Sequence, residues 1–173
     1  DISEIIGRAN NIKSDDAKVK DIVHEVSDYV TTDGVPEEAL NKIARLSIVM
    51  RDWIEEEDLD AVAVQCWSAI EEYYGVAPCT AMSMLSQSGV PAACEVDIMG
   101  ALSMYALQLA SASPSALLDW NNNYGDDPDK VVMFHCSNLP ACFFGESKMR
   151  YLDLLARTVD KGCTFGSIEG CIV

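Results

Sequence analysis

Four side chains suited to acid–base or ligand chemistry stand where a short apolar run of this sequence stops. Gln65 ends "LDAVAV", Glu95 follows "VPAAC", Asp119 follows "SALL" and His135 follows "VVMF". Two carboxylates and an imidazole converging in a half-dry crevice would raise one another's pKa values unless a divalent cation neutralised them. Their oxygen and nitrogen donors suit Mn²⁺, Mg²⁺ or a related octahedral ion. Asp and Glu are also residue types that carry protons as general acid and base.

Each residue has a plainer reading beside the chemical one. Glu95 or Asp97 can cap the helix that follows, because a carboxylate oxygen there accepts from exposed first-turn amides. Asp119 precedes "WNNN", where Asx turns are common. His135 can be a satisfied core histidine, Gln65 can bond backbone, and Trp67 can fill the core instead of forming a ligand platform. Convergence favours the chemical reading, since a purely structural sheet does not need four polar strand ends in a row. His24 sits beside Glu25 on a solvated helix face, Met84, Met99 and Met104 lie on apolar helix faces, and "WIEEEDLD" reads as a solvated helix end. A P-loop, G-x-G-x-x-G and G-x-S-x-G are absent from this segment, which disfavours nucleotide binding and serine hydrolysis.

Convergence depends on the elements that carry these ends. "DDAKVKDIVHEVSDYV" and "TTDGVPEEALNKIARLSIVMRDWIEEED" have helical apolar spacing, the second with Pro36 near its first turn. "LDAVAVQ" is then a strand of buried type, followed by the helical "SAIEEYYG" and "TAMSMLSQSG" patterns. Strand "VPAAC", helix "DIMGALSMYALQLAS", strand "SALLDW", a loop over "NNNYGDDPD" and strand "VVMFH" complete the order. Such alternation predicts an α/β fold: a doubly wound, Rossmann- or flavodoxin-like parallel sheet with helices on both faces. Four strands of equal sense would bring residues 65, 95, 119 and 135 to one rim, where open α/β sheets bind ligands. From Lys148 the texture becomes Gly-punctuated and strand-like. We therefore expect residues 1–147 to form the α/β unit and 148–173 a connector and the start of a β-rich unit.

Composition bounds the function classes. At 173 residues the chain is about one domain long, enough to bury roughly 70% of its unfolded surface. With 28 acidic against 12 basic residues, its net charge of -16 repels phosphate backbones and anionic lipid surfaces, so neither nucleic acid nor membrane is expected as a partner. No apolar run is long enough for a span, and "DISEIIGRANN" lacks the features of a signal peptide, which reads as cytoplasmic. Cysteines 66, 79, 94, 136, 142, 163 and 171 form an odd set without a C-x-x-C pair, the usage of small buried hydrophobes in a reducing compartment. The opening Asp and the strand-like ending "CIV" suggest a piece of a longer chain.

"AVQCWSAIEEYYGVAPCTAMSMLSQSGVPAACEVDIMGALSMYALQ", "LLDWNNNYGDDPDKVVMFHCSN", "DISEIIGRANN" and "GCTFGSIEG" together resemble the L-fucose/L-arabinose isomerase superfamily, specifically its fucose-isomerase-related branch. The resemblance implies the middle, Rossmann-like domain of a protein of several hundred residues, entering the next domain near "CTFGSIEG". It implies an aldose–ketose isomerase that moves a proton between C1 and C2 of a monosaccharide through a metal-stabilised enediolate. The metal, commonly Mn²⁺, would be held by Glu95, Asp119 and a histidine, with the two acids doubling as the acid/base pair. Gln65 matches the substrate-contacting glutamine, with Trp67 beside it. His135 matches a ligand histidine of the arabinose branch; the fucose branch places serine chemistry nearby, which makes Ser137 a second candidate for substrate contact. Assembly into homotrimers or hexamers is implied for the full-length protein. A non-catalytic sugar-binding or assembly module of the same fold is the alternative.

Overall fold

The amino-terminal half is built of helices whose apolar stripes face one another. The structure, a computed structural model, describes residues 1–135, 138–151 and 164–168. Helix α1 (Ile2–Asn11) is capped by Asp1, whose side chain accepts from the Ser3 amide, and α2 (Ala17–Tyr29) is capped in the same way by Asp16 on Lys18. Helix α3 (Glu37–Glu56) follows Pro36, whose fixed φ suits a helix start. Ile43, Leu46, Val49 and Met50 recur at three- and four-residue spacing and are buried, so α3 is the spine of the core. Burying each such side chain contributes on the order of 1.5–3 kcal/mol. At the surface, Arg8 grips Glu56 and Arg51 grips Glu25, tying α1 and α2 to α3.

Behind this layer run two short strands, β1 (Val62–Ala63) and β2 (Ala92–Ala93), paired in parallel with Val62 opposite Ala92 and Ala63 opposite Ala93. Between them the chain makes a wide turn over Cys66–Ile70, the short α4 (Glu71–Tyr74), a left-handed Gly75 and α5 (Cys79–Gln87). Helix α6 (Ile98–Ser111) follows β2. Side chains alternate across the pair as a strand requires. Val62, Val64, Ala92 and Cys94 enter the large core with residues of α3 and α5, whereas Ala61, Ala63 and Ala93 pack with Ala101 and Met104 of α6. The two-stranded pair is therefore covered on both faces, and it is small alanines that let α6 approach closely.

Beyond α6 the described strands depart from the expected alternation. Residues 115–118 lie outside any helix or strand, with the Ser115 hydroxyl donating to the Met104 carbonyl at 2.7 Å. Strand β3 (Asp119–Tyr124) and strand β4 (Asp127–Phe134) then form an antiparallel hairpin. Its turn is Gly125–Asp126, with Gly125 at φ 58, a left-handed conformation that suits glycine in a two-residue hairpin loop. So the stretch expected as a loop is mostly strand, and "VVMFH" does not run as a fourth parallel strand. Strand β5 (Ser147–Tyr151) pairs antiparallel with β6 (Thr164–Ile168) and is stitched to Thr31 by bonds from Thr31 N–H to Ser147 O and from Met149 N–H to Thr31 O. Met149 is fully buried in the large core, which thus reaches past residue 147. Among the described residues no helix is long and apolar enough to cross a membrane.

Candidate functional site

The end of the parallel pair is where the structure puts the first two predicted site residues. Gln65 and Glu95 each follow one of the paired strands, so they leave the sheet at the same margin, and both are exposed. Two backbone bonds splice the strand ends there, Val64 N–H to Ala93 O at 2.9 Å and Val96 N–H to Val64 O at 3.2 Å, and a third, Asp97 N–H to Cys94 O at 3.0 Å, closes a tight turn after β2. The Glu95 amide donates to the Cys66 sulfur at 3.4 Å. Trp67, at extended φ/ψ inside the wide turn, is 44% exposed beside this margin instead of filling the core.

The cap of α6 is Asp97, not Glu95. Its carboxylate accepts from the Gly100 amide at 2.7 Å, leaving Glu95 outside that structural role. Glu95 is instead held in an uncommon backbone shape: it lies at φ 58 and Val96 at φ 60, both left-handed and neither a glycine. For a β-branched residue this is a genuine outlier, and such conformations cost about 1–3 kcal/mol each and cluster at functional sites.

Asp119 and His135 meet differently from the way their positions in the sequence suggest. Asp119 opens β3 and stands opposite Phe134, so both residues lie at the base of the hairpin, one strand entering and the other leaving. Alternation along β4 turns the residue after Phe134 to the other side: Asp119 is exposed, whereas His135 is 8% exposed. Both feet of the hairpin are anchored beside β2. Leu117 packs with Ala93, Ala101 and Met104, and the Asn138 amide group donates to Ala92 O at 3.4 Å. Ser137 lies outside the described residues.

The structure thus gathers the predicted residues as two pairs, Gln65 with Glu95 and Asp119 with His135. Their donor types suit a divalent ion, but among the described residues no group of three His, Cys, Asp or Glu is placed to share one. Antiparallel pairing is the physical reason that the expected single rim of four strand ends does not form. Sequence reasoning missed the bend itself, in which the Glu95 amide meets the Cys66 sulfur and Val96 is left-handed. A cysteine in an apolar run and a valine without a neighbouring glycine give no warning of it.

The likeness is to sulfoquinovose isomerases. The chain is 34% identical over 97 residues to the sulfoquinovose isomerase of Alkalicoccus urumqiensis, 31% over 100 residues to that of Priestia aryabhattai, and 30% over 104 residues to that of Clostridium sp. strain MSTE9. These matches take in 56%, 58% and 60% of this chain but only 22%, 22% and 23% of the respective relatives. The matched stretch therefore spans under a quarter of the length of the relatives. No protein-family model matches the chain.

Proposed function

We propose that this chain is part of a sugar aldose–ketose isomerase, with the sheet margin at Gln65, Trp67 and Glu95 and the hairpin base at Asp119 as its share of the active site. The observation that carries the reading is Glu95: an exposed carboxylate at the end of a buried parallel pair, relieved of helix capping by Asp97 and held in a strained bend. Likeness to proteins named sulfoquinovose isomerase supports the same chemistry and makes sulfoquinovose the first sugar to test.

In this reading one carboxylate takes the proton from the carbon next to the sugar carbonyl and returns it to the former carbonyl carbon. The other carries the proton between the two oxygens, so that aldose becomes ketose without net loss or gain. Glu95 and Asp119 have these roles, and each contributes on the order of 10²–10⁴-fold as a general acid or base. Gln65 donates and accepts at sugar hydroxyls, and the exposed face of Trp67 covers the apolar side of the ring. A divalent ion, Mn²⁺ in our proposal, would supply Lewis-acid polarisation of the carbonyl when bound; Glu95, Asp119 and His135 carry suitable donors, and they would share one ion only if the complete protein draws the two pairs together, since among the described residues no three such groups lie close enough. The doubly wound sheet, of which β1, β2 and their covering helices are one unit, the cytoplasmic setting and a homo-oligomeric assembly belong to the same proposal for the whole protein.

The test is Glu95→Gln in the complete protein, assayed on sulfoquinovose and a panel of aldoses with Mn²⁺. It keeps the shape and removes the proton carrier, so turnover should fall by about 10²–10⁴-fold. Unchanged turnover would refute the assignment.

A further inference from the structure

We infer that Cys66 is a positioning residue for Glu95: its buried thiol, with the Val64 carbonyl, clamps the left-handed bend that aims the Glu95 carboxylate out of the sheet margin. This rests on the isomerase reading of Glu95. The bend has two consecutive amides, and both are tied to the end of β1, Glu95 N–H to Cys66 Sγ at 3.4 Å and Val96 N–H to Val64 O at 3.2 Å. Residues 95 and 96 sit at φ 58 and 60, a shape that their side chains do not favour and that must be imposed from outside the bend. Cys66 is 2% exposed, so its sulfur is held from the buried side of the bend, where it is an acceptor, though a weak one, for the Glu95 amide. The same residue begins the wide turn that presents Trp67 beside Gln65. One thiol thereby links the placement of the carboxylate to that of two residues proposed to contact the sugar.

Packing and positioning make opposite demands of position 66, which allows a test in the complete protein. Cys66→Val keeps an apolar side chain but has no acceptor; Cys66→Ser keeps an acceptor but is polar and slightly smaller. Two readouts apply: exchange of the Glu95 amide proton, and kcat and KM on sulfoquinovose, with Glu95→Gln alongside. Should Cys66→Val fail to fold, Cys66→Ala takes its place. Positioning predicts that the apolar variant exchanges the Glu95 amide at least about tenfold faster and loses at least about tenfold in kcat with little change in KM, while the serine variant stays within about threefold of the parent in both. An apolar variant as slow to exchange as the parent, or as active as the serine variant, overturns the inference, as does equal loss in both variants. If Glu95→Gln retains full turnover, the isomerase role of Glu95 falls and the positioning role with it. If Glu95→Gln is inactive but Cys66→Val is not, only the positioning role falls.

Discussion

Gly100→Ala separates tertiary packing from helix propensity by the sign of its effect. Gly100 lies in the first turn of α6, where an alanine would normally stabilise by about 1 kcal/mol through propensity. Here a Cβ would come within 2.5 Å of Asp97 Oδ2 and 2.5 Å of Leu117 Cδ2. Asp97 must swing away and give up its bond to the Gly100 amide, a lost cap that costs about 1 kcal/mol. Leu117, wedged on Ala93, Ala101 and Met104, must also move, and overpacking of this kind costs about 1–3 kcal/mol. Subtracting the propensity gain leaves a net loss of about 1–3 kcal/mol, read from urea unfolding. Asp97→Ala alone should cost about 1 kcal/mol, and adding Gly100→Ala to it should cost less than Gly100→Ala does in the parent, because the cap is already gone. A Gly100→Ala variant that is more stable than the parent would show that α6 does not pack against the 115–118 segment as described.

Three further outcomes are expected besides the Glu95 and Cys66 variants. Tyr29→Phe removes a hydroxyl that accepts from the Ala141 amide at 2.8 Å and bonds Ser83 at 2.8 Å, so stability should fall by about 1–3 kcal/mol and the Ala141 amide should exchange faster; a change below about 0.3 kcal/mol would count against the link between α2, α5 and residues 139–141. In a double-mutant cycle of Arg51→Ala and Glu25→Gln, coupling should be at most about 1 kcal/mol at neutral pH, because both side chains are partly solvated. The Arg51 guanidinium holds the Glu25 carboxyl below its ordinary value of 4.5, so the coupling is present above that pH and is lost as pH falls through the lower folded value; equal coupling at neutral and strongly acid pH would refute this.

What could be read from the sequence follows the strength of each local signal. The helices of residues 17–30 and 36–56 were legible because Val19 and Val26, or Ile43, Leu46 and Met50, repeat at the helical period and nothing in between competes. The strands around Val62 and Ala92 were legible as short apolar runs. The hairpin was not, although its turn signal was present: Gly125–Asp126 is a two-residue hairpin loop, but the asparagines at 121–123 have poor strand propensity and pulled the reading toward a loop. Conversely, the apolar 115–118 run looked like a strand, and its Leu117 instead packs against α6. That single exchange decided the candidate site. A parallel reading puts Asp119 and His135 at two ends of equal sense; the hairpin brings their positions together at its base but gives one to solvent and the other to the interior.

The pair at 95 and 97 explains why the strain is worth keeping. Two acidic residues flank Val96 between a strand and a helix, and an unstrained turn would leave either carboxylate free to serve as the helix cap, since any exposed first-turn amide attracts one. Turning the chain left-handed at both 95 and 96 separates their fates: Asp97 reaches the Gly100 amide, and Glu95 is left at the margin with Gln65. A glycine at 96 would take the same φ without steric cost but would also free the bend to relax. Valine there makes the bend expensive, and therefore dependent on the amide bonds to Val64 and Cys66 that hold it. On this view local destabilisation and a fixed carboxylate are one property of the same four residues.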